Sequence, residues 1–183
     1  LTRIFEAIAT YERTIVSGKS KFDRFISGDK NLFTDEEVLG LHLFRTKARC
    51  INCHFSPLFS DQQFHNLGLS YYGRKHEDLG RYKITKDAAD VGRFKTASLR
   101  EVARTAPYMH NGLIPSLDEV IQMYDAGMAR PKPRKDQEND PLFPTTDPLL
   151  QKLSLTKEER AALKAFLLTL NSPAKREKMP ELP

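Results

Sequence analysis

Apolar residues recur at helical spacing in several stretches separated by polar ones. Ile4, Ile8, Tyr11 and Ile15 fall on one stripe and predict a helix over 2–17. Leu39, Leu43 and Phe44 predict the inner face of a second helix over 35–48. Thr34 opens it as N-cap, with Glu37 three residues on, the spacing of a capping box. That spacing recurs at Ser98/Glu101, Ser116/Glu119 and Thr156/Glu159, each predicting a helix start. The last of these helices, over 157–170, turns Leu163, Phe166, Leu167 and Leu170 inward and is stopped by Asn171, Ser172 and Pro173. No sustained alternation of β-branched and polar residues predicts a sheet. The fold class is all-α.

The remaining stretches have no such period. Residues 55–97 carry no helical or strand pattern, and 129–149 holds five of the eleven prolines. Loops this long are unusual inside a compact domain unless they serve a function. A large apolar cofactor for them to wrap around would explain both. The chain is therefore read as one domain over 1–183, with 129–149 a Pro-rich loop within it.

Composition fits that reading. A chain of 183 residues, 39% hydrophobic and 29% charged, can bury a sizeable core. No apolar run is long enough to span a bilayer. The net charge of +5 is spread among interleaved signs, as in Lys157, Glu158, Glu159 and Arg160. That describes a solvated surface able to steer an acidic protein partner, not a nucleic-acid footprint. The chain begins at Leu1 without Met or the features of a signal peptide, so any leader is expected to have been removed or to lie outside it.

Both cysteines lie in one short segment, Cys50-Ile-Asn-Cys53-His54. On a helical turn, positions i, i+3 and i+4 share a face, so two thiols and an imidazole point the same way. Two thiols so placed add across the two vinyl groups of one porphyrin, and the imidazole binds its iron. That is the chemistry of c-type haem attachment. A structural zinc site needs four ligands, and His42, His65, His76 and His110 are scattered singly. A thioredoxin-like redox pair expects a βαβ setting. A disulfide between Cys50 and Cys53 would close too small a loop to contribute much.

A wider resemblance surrounds this motif. The segments AIATYERTIVSGKSKFDRFISGD (7–29), FHNLG (64–68), LGRYKIT (79–85), GRFKTASLREVARTAPYMHNG (92–112) and SLDEVIQMYDAG (116–127) are similar, in this order around CINCH, to the C-terminal half of di-haem cytochrome c peroxidases and their MauG-like relatives. The resemblance runs from about residue 7 to 127, and the last helix fits as well. Ala97 stands where that family usually has Pro, and Glu101 where it usually has Asn.

The resemblance implies a periplasmic, peroxidase-type oxidoreductase of two domains, each with one haem c. This chain would be the electron-handling half, partnered by an N-terminal haem domain, hydrogen peroxide and a small electron-donor protein. The runner-up is a stand-alone electron-transfer cytochrome. His54 is the implied proximal iron ligand. The distal ligand should lie fourteen positions after His110, which is Tyr124. MauG-like enzymes carry Tyr there and the peroxidases Met, and Met123 and Met128 keep a thioether alternative at hand, with Met109 more remote. A phenolate favours ferric iron, whereas a thioether favours the ferrous state and raises the potential. The resemblance further implies calcium held by the main-chain carbonyls of Thr105 and Pro107, and a haem-edge role for His110. Arg81, Arg93 and Arg100 are candidates for propionate pairing, and His65 is read as structural.

Overall fold

The computed structural model describes residues 1–173. The part of the predicted domain from 174 to 183 lies outside them. Six α-helices run in chain order: α1 (Thr2–Glu12), α2 (Lys21–Ile26), α3 (Asp35–Arg45), α4 (Tyr82–Thr85), α5 (Leu117–Asp125) and α6 (Lys157–Leu168). The strands are two residues each, β1 (Phe64–His65) and β2 (Phe94–Lys95), paired antiparallel with His65 opposite Phe94. The all-α class holds.

The packing of α3 on α6 organises the core. Capping boxes start both helices: Thr34 Oγ1 accepts from the Glu37 amide at 3.3 Å, and Thr156 Oγ1 from the Glu159 amide at 3.2 Å. α3 presents Leu43 and Phe44, and α6 presents Ala162, Leu163, Phe166 and Leu167. Phe166 and Leu170 are 0% exposed. Phe22, Phe44, Phe59 and Phe166 meet with ring centroids 5.1 to 6.3 Å apart, mostly edge to face, the arrangement that sets positive ring edges against negative faces. The helices approach this closely because Gly40 faces Ala162: a Cβ on Gly40 would overlap the Ala162 carbonyl and lie 2.8 Å from the Phe166 Cβ.

Three expectations are corrected. α1 ends at Glu12, short of residue 17, and its stripe is uncovered, with Ile4, Ile8 and Tyr11 57, 50 and 55% exposed. Leu39 is also exposed; at the crossing Gly40 takes the inward position. Ser98/Glu101 opens no α-helix. The Ser98 hydroxyl donates to the Leu58 carbonyl at 2.7 Å, and Glu101 adopts a left-handed conformation (φ 60°). The Glu101 carboxylate accepts instead from the Ser172 amide and hydroxyl at 3.0 and 2.5 Å, tying the 98–105 loop to the chain after α6. Side-chain partners far in sequence have outcompeted a local cap.

The long loops are cross-linked rather than loose. Asn66 is buried; its amide donates to the Val91 carbonyl at 3.1 Å and accepts from the Gly68 amide at 2.7 Å. Its main-chain carbonyl receives the Asp147 amide at 2.9 Å, so one residue joins three aperiodic segments.

Filling the helix crossing should be costly. Gly40→Ala is expected to lower stability by about 1–3 kcal/mol through overpacking. Leu39→Ala, one residue away on the solvent side, should change it by no more than about 0.5 kcal/mol. Urea midpoints of the two variants check this, and equal values would show that the α3–α6 contact is not limiting.

Candidate haem site

The two thiols and the imidazole are placed by the end of α3. After Arg45 the chain turns back, with the Ala48 amide on the Leu43 carbonyl at 2.9 Å, and Arg49 takes a left-handed conformation (φ 55°). Cys50–Asn52 then form a single 3₁₀ turn rather than a stretch of α-helix. The His54 amide still reaches the Cys50 carbonyl at 2.9 Å, an i to i+4 bond that brings the three side chains round to one face. Both cysteines are free thiols. Burial pushes the Cys50 thiol up to about 12, and the Cys53 thiol to about 11 with help from the Asp61 and Asp147 charges.

His54 is oriented by the main chain. Its Nδ1 lies 2.8 Å from the Phe59 carbonyl oxygen. A carbonyl only accepts, so Nδ1 carries the proton and Nε2 keeps its lone pair. Burial holds the imidazole's pKa below its ordinary value, which favours this neutral form. Phe59 itself is in the aromatic core.

Cys50, Cys53, His54 and Tyr124 all line one cavity of about 470 Å³, within the range of cofactor and ligand sites. Its walls are mainly apolar, among them Leu69, Leu99, Val102, Ile121 and Leu163. Tyr124 reaches it from α5, whose start is capped by the Ser116 hydroxyl accepting from the Glu119 amide at 3.3 Å. Burial, and then the neighbouring Cys50 and Cys53, push the phenol's pKa well up. Among the described residues the Tyr124 hydroxyl has no hydrogen-bond partner, although an enclosed tyrosine normally finds one. Met123 faces a different cavity, Met128 is buried and lines neither, and Met109 lines the first from the 108–114 turn. These residues fit a covalent haem: two thiols side by side, a neutral imidazole with a free nitrogen, an unpartnered oxygen and apolar walls.

Comparison with known proteins agrees. Cytochrome-c peroxidase IdrP1 of Pseudomonas sp. (strain SCT) is 37% identical over 196 residues, spanning 91% of this chain and 48% of the relative. Methylamine utilization protein MauG of Methylorubrum extorquens is 35% identical over 179 residues, spanning 97% and 46%. The chain is a homologue of cytochrome-c peroxidases and MauG. A solved MauG-like protein associated with microbial copper homeostasis superposes with a TM-score of 0.77 at 33% identity, covering 91% of this chain and 56% of that one. No family model matches the chain. The chain spans about half the length of the curated relatives it matches.

The remaining candidates of this peroxidase homologue divide. His110 lines the cavity and stacks on Phe94 with centroids 3.5 Å apart and planes within 10°. Thr105 and Pro107 also line it. Arg81 and Arg100 are committed elsewhere, to Asp90 at 3.0 Å and Asp23 at 2.8 Å, and neither they nor Arg93 line the cavity. Among the described residues the Lys and Arg side chains that do line it are Arg49 and Lys95, and Arg49 also donates to Gln151 at 3.0 Å. Sequence reasoning missed both; adjacency to Cys50 was the available signal for Arg49. A zinc site finds no four-ligand set: the one His, Cys and carboxylate group near enough for a metal among the described residues is Cys53, Asp61 and His65.

His65 is more than packing. Its Nδ1 bonds Asp147 at 2.7 Å and its Nε2 bonds Asp61 at 2.8 Å, beside Cys53. Burial lowers its pKa, but the bonds and charges of the two carboxylates outweigh that and hold it above the ordinary 6.5. Burial raises Asp61 and Asp147, and hydrogen bonds from Gln63 to one, Leu149 to the other and His65 to both bring each below 3.8. The bridge is therefore complete where His65 is protonated and both aspartates are ionised. Its contribution is full below the unfolded histidine value and is lost as pH rises through the raised folded value. It is lost again in acid, as pH falls through the depressed aspartate values. The gap in urea midpoint between wild type and His65→Gln should be wider at pH 6 than at pH 10. A gap independent of pH would show that the imidazole carries no charge.

Proposed function

We propose that this chain is the haem-c domain of a periplasmic di-haem peroxidase of the MauG-like kind, handling electrons for peroxide chemistry at a second haem in an N-terminal domain. The observation that carries the reading is the convergence of Cys50, Cys53, His54 and an unpartnered Tyr124 on one apolar cavity. Homology to cytochrome-c peroxidases and MauG supports the same chemistry. The periplasm follows from covalent attachment, which in bacteria takes place outside the cytoplasmic membrane. No helix among the described residues is long and apolar enough to cross a membrane. The stand-alone carrier gains nothing from these relatives.

Bound haem c supplies an iron centre that exchanges single electrons. The protein's part is attachment, orientation and tuning. Cys50 and Cys53 would hold the macrocycle by two thioethers, each formed as S–H adds across a vinyl C=C. His54 offers Nε2 to the metal while the Phe59 carbonyl fixes the ring, an outer partner that raises ligand basicity. Tyr124 would supply a second ligand to the iron. Burial opposes its ionisation, so the hydroxyl would release its proton to solvent only where a bound cation stabilises the resulting phenolate. An anionic oxygen ligand favours the ferric state. Arg49 and Lys95, which line the cavity, would meet propionates, and His110 would stand at the haem edge. The main-chain carbonyls of Thr105 and Pro107 accept no hydrogen bond among the described residues, which suits a calcium ion that would take its further oxygen ligands from the other domain.

Denaturing mass spectrometry of the chain matured in a bacterial periplasm should show the mass of one haem retained, and none on a Cys50→Ser/Cys53→Ser variant. A chain without that increment and without a Soret band would sink the reading. For the axial ligand, Tyr124→Phe should shift the ferric spectrum and raise the midpoint potential, while Met123→Leu does neither. The reverse outcome would make this a His/Met haem.

A further inference from the structure

A second cavity of about 340 Å³ lies behind α5, walled by two aperiodic segments, 68–74 and 129–143, that meet only in the folded chain. Leu69 lines both cavities, so this one adjoins the haem site without opening onto the Tyr124 hydroxyl. Tyr71, Tyr72, Phe143 and Met123 supply its apolar surface, and Arg74, Arg130 and Lys132 stand exposed around it. Among the described residues no acidic one lines it. Arg74 and Lys132 have no carboxylate partner among the described residues, and Arg130 is held by the Leu150 carbonyl. Of the acidic groups near these loops, Asp140 accepts the Tyr72 hydroxyl at 2.5 Å, Glu77 the Gly73 amide at 2.5 Å, and Asp136 pairs with Arg134 at 3.3 Å, while Glu138 is exposed and does not line the cavity.

Gln137 is the independent sign of a ligand. It lines the cavity and is only 7% exposed. Its Oε1 accepts from the Arg134 amide at 3.1 Å, but among the described residues its Nε2 donates to nothing. That N–H is not sealed from solvent, so it is open to an acceptor inside the cavity.

We propose that this cavity binds a small organic anion with a planar ring, an aromatic carboxylate being the simplest. The ring would pack on Tyr71, Tyr72 and Phe143. The carboxylate would take the Arg74 guanidinium, the Lys132 ammonium and the free Gln137 N–H. Ring and charge are both needed, since the walls reward one and the exposed cations the other.

Calorimetric titration of the haem-loaded chain with benzoate tests this, with benzyl alcohol and acetate as probes of ring and charge alone. Benzoate should bind saturably, one per chain, and both controls at least about tenfold more weakly. Arg74→Gln and Lys132→Gln should each weaken benzoate by about tenfold, as expected for a lost charged hydrogen bond. Both are exposed positions, so circular dichroism should be unchanged. The haem spectrum should stay constant throughout. Equal binding of benzyl alcohol, unaltered affinity in both variants, no saturation at millimolar benzoate, or a haem spectral change that persists in Arg74→Gln would each overturn the proposal.

Discussion

Phe59 belongs to the core and to the site at once, and the rest of the arrangement depends on that double membership. Its ring sits between Phe22, Phe44 and Phe166, while its carbonyl holds the Nδ1 of His54. The residue is left-handed (φ 53°), which sends its carbonyl toward the histidine while the ring stays inside. Side-chain packing thus becomes a constraint on one imidazole. Anything that loosens the α3–α6 contact would loosen Phe166, then Phe59, then the orientation of the free Nε2 of His54.

The cavity itself explains why so much of the chain lacks a period. Helices α3, α5 and α6 supply one side of it, through Phe44, Ile121, Leu163 and Leu167. The other side comes from loops carrying Leu67, Leu69, Leu99 and Leu153, together with Phe94 of β2. Those loops have no sheet or helix to satisfy their backbone, so single polar residues such as Asn66 and Ser60 do it, the Ser60 hydroxyl donating to the Thr96 carbonyl at 2.7 Å. Their apolar side chains then point at space that no protein group fills. Such a wall is stable when a flat apolar ligand completes it, and binding to the folded state alone shifts folding by mass action.

How far this was legible in the sequence depends on the range of the interaction. Thr34/Glu37 and Thr156/Glu159 are satisfied within one turn, so the local pattern found both helices. Ser98/Glu101 has the same letters, but Glu101 is claimed by Ser172, seventy-one residues away, and no local rule anticipates that. The stripe of α1 shows the converse limit: periodicity tells which face is apolar, not what covers it. Cys50, Cys53 and His54 were legible because three residues carry the whole signal. Lys95 and the cavity behind α5 were not, because their neighbours come from segments with no pattern to read.

Tyr124 and Met123 show how one helix can separate two chemistries. Consecutive residues on an α-helix point about 100° apart. The phenol therefore enters one cavity and the thioether the other, and no small rotation of α5 exchanges them. α5 is held at its start by the Ser116 cap. At its end the Asp125 carboxylate takes the Leu155 amide at 2.8 Å and the Arg160 guanidinium at 2.9 Å. Those last bonds tie its rotation to α6, the helix that fixes Phe59 through Phe166. The two cavity residues His54 and Tyr124 are thus both set by the same core.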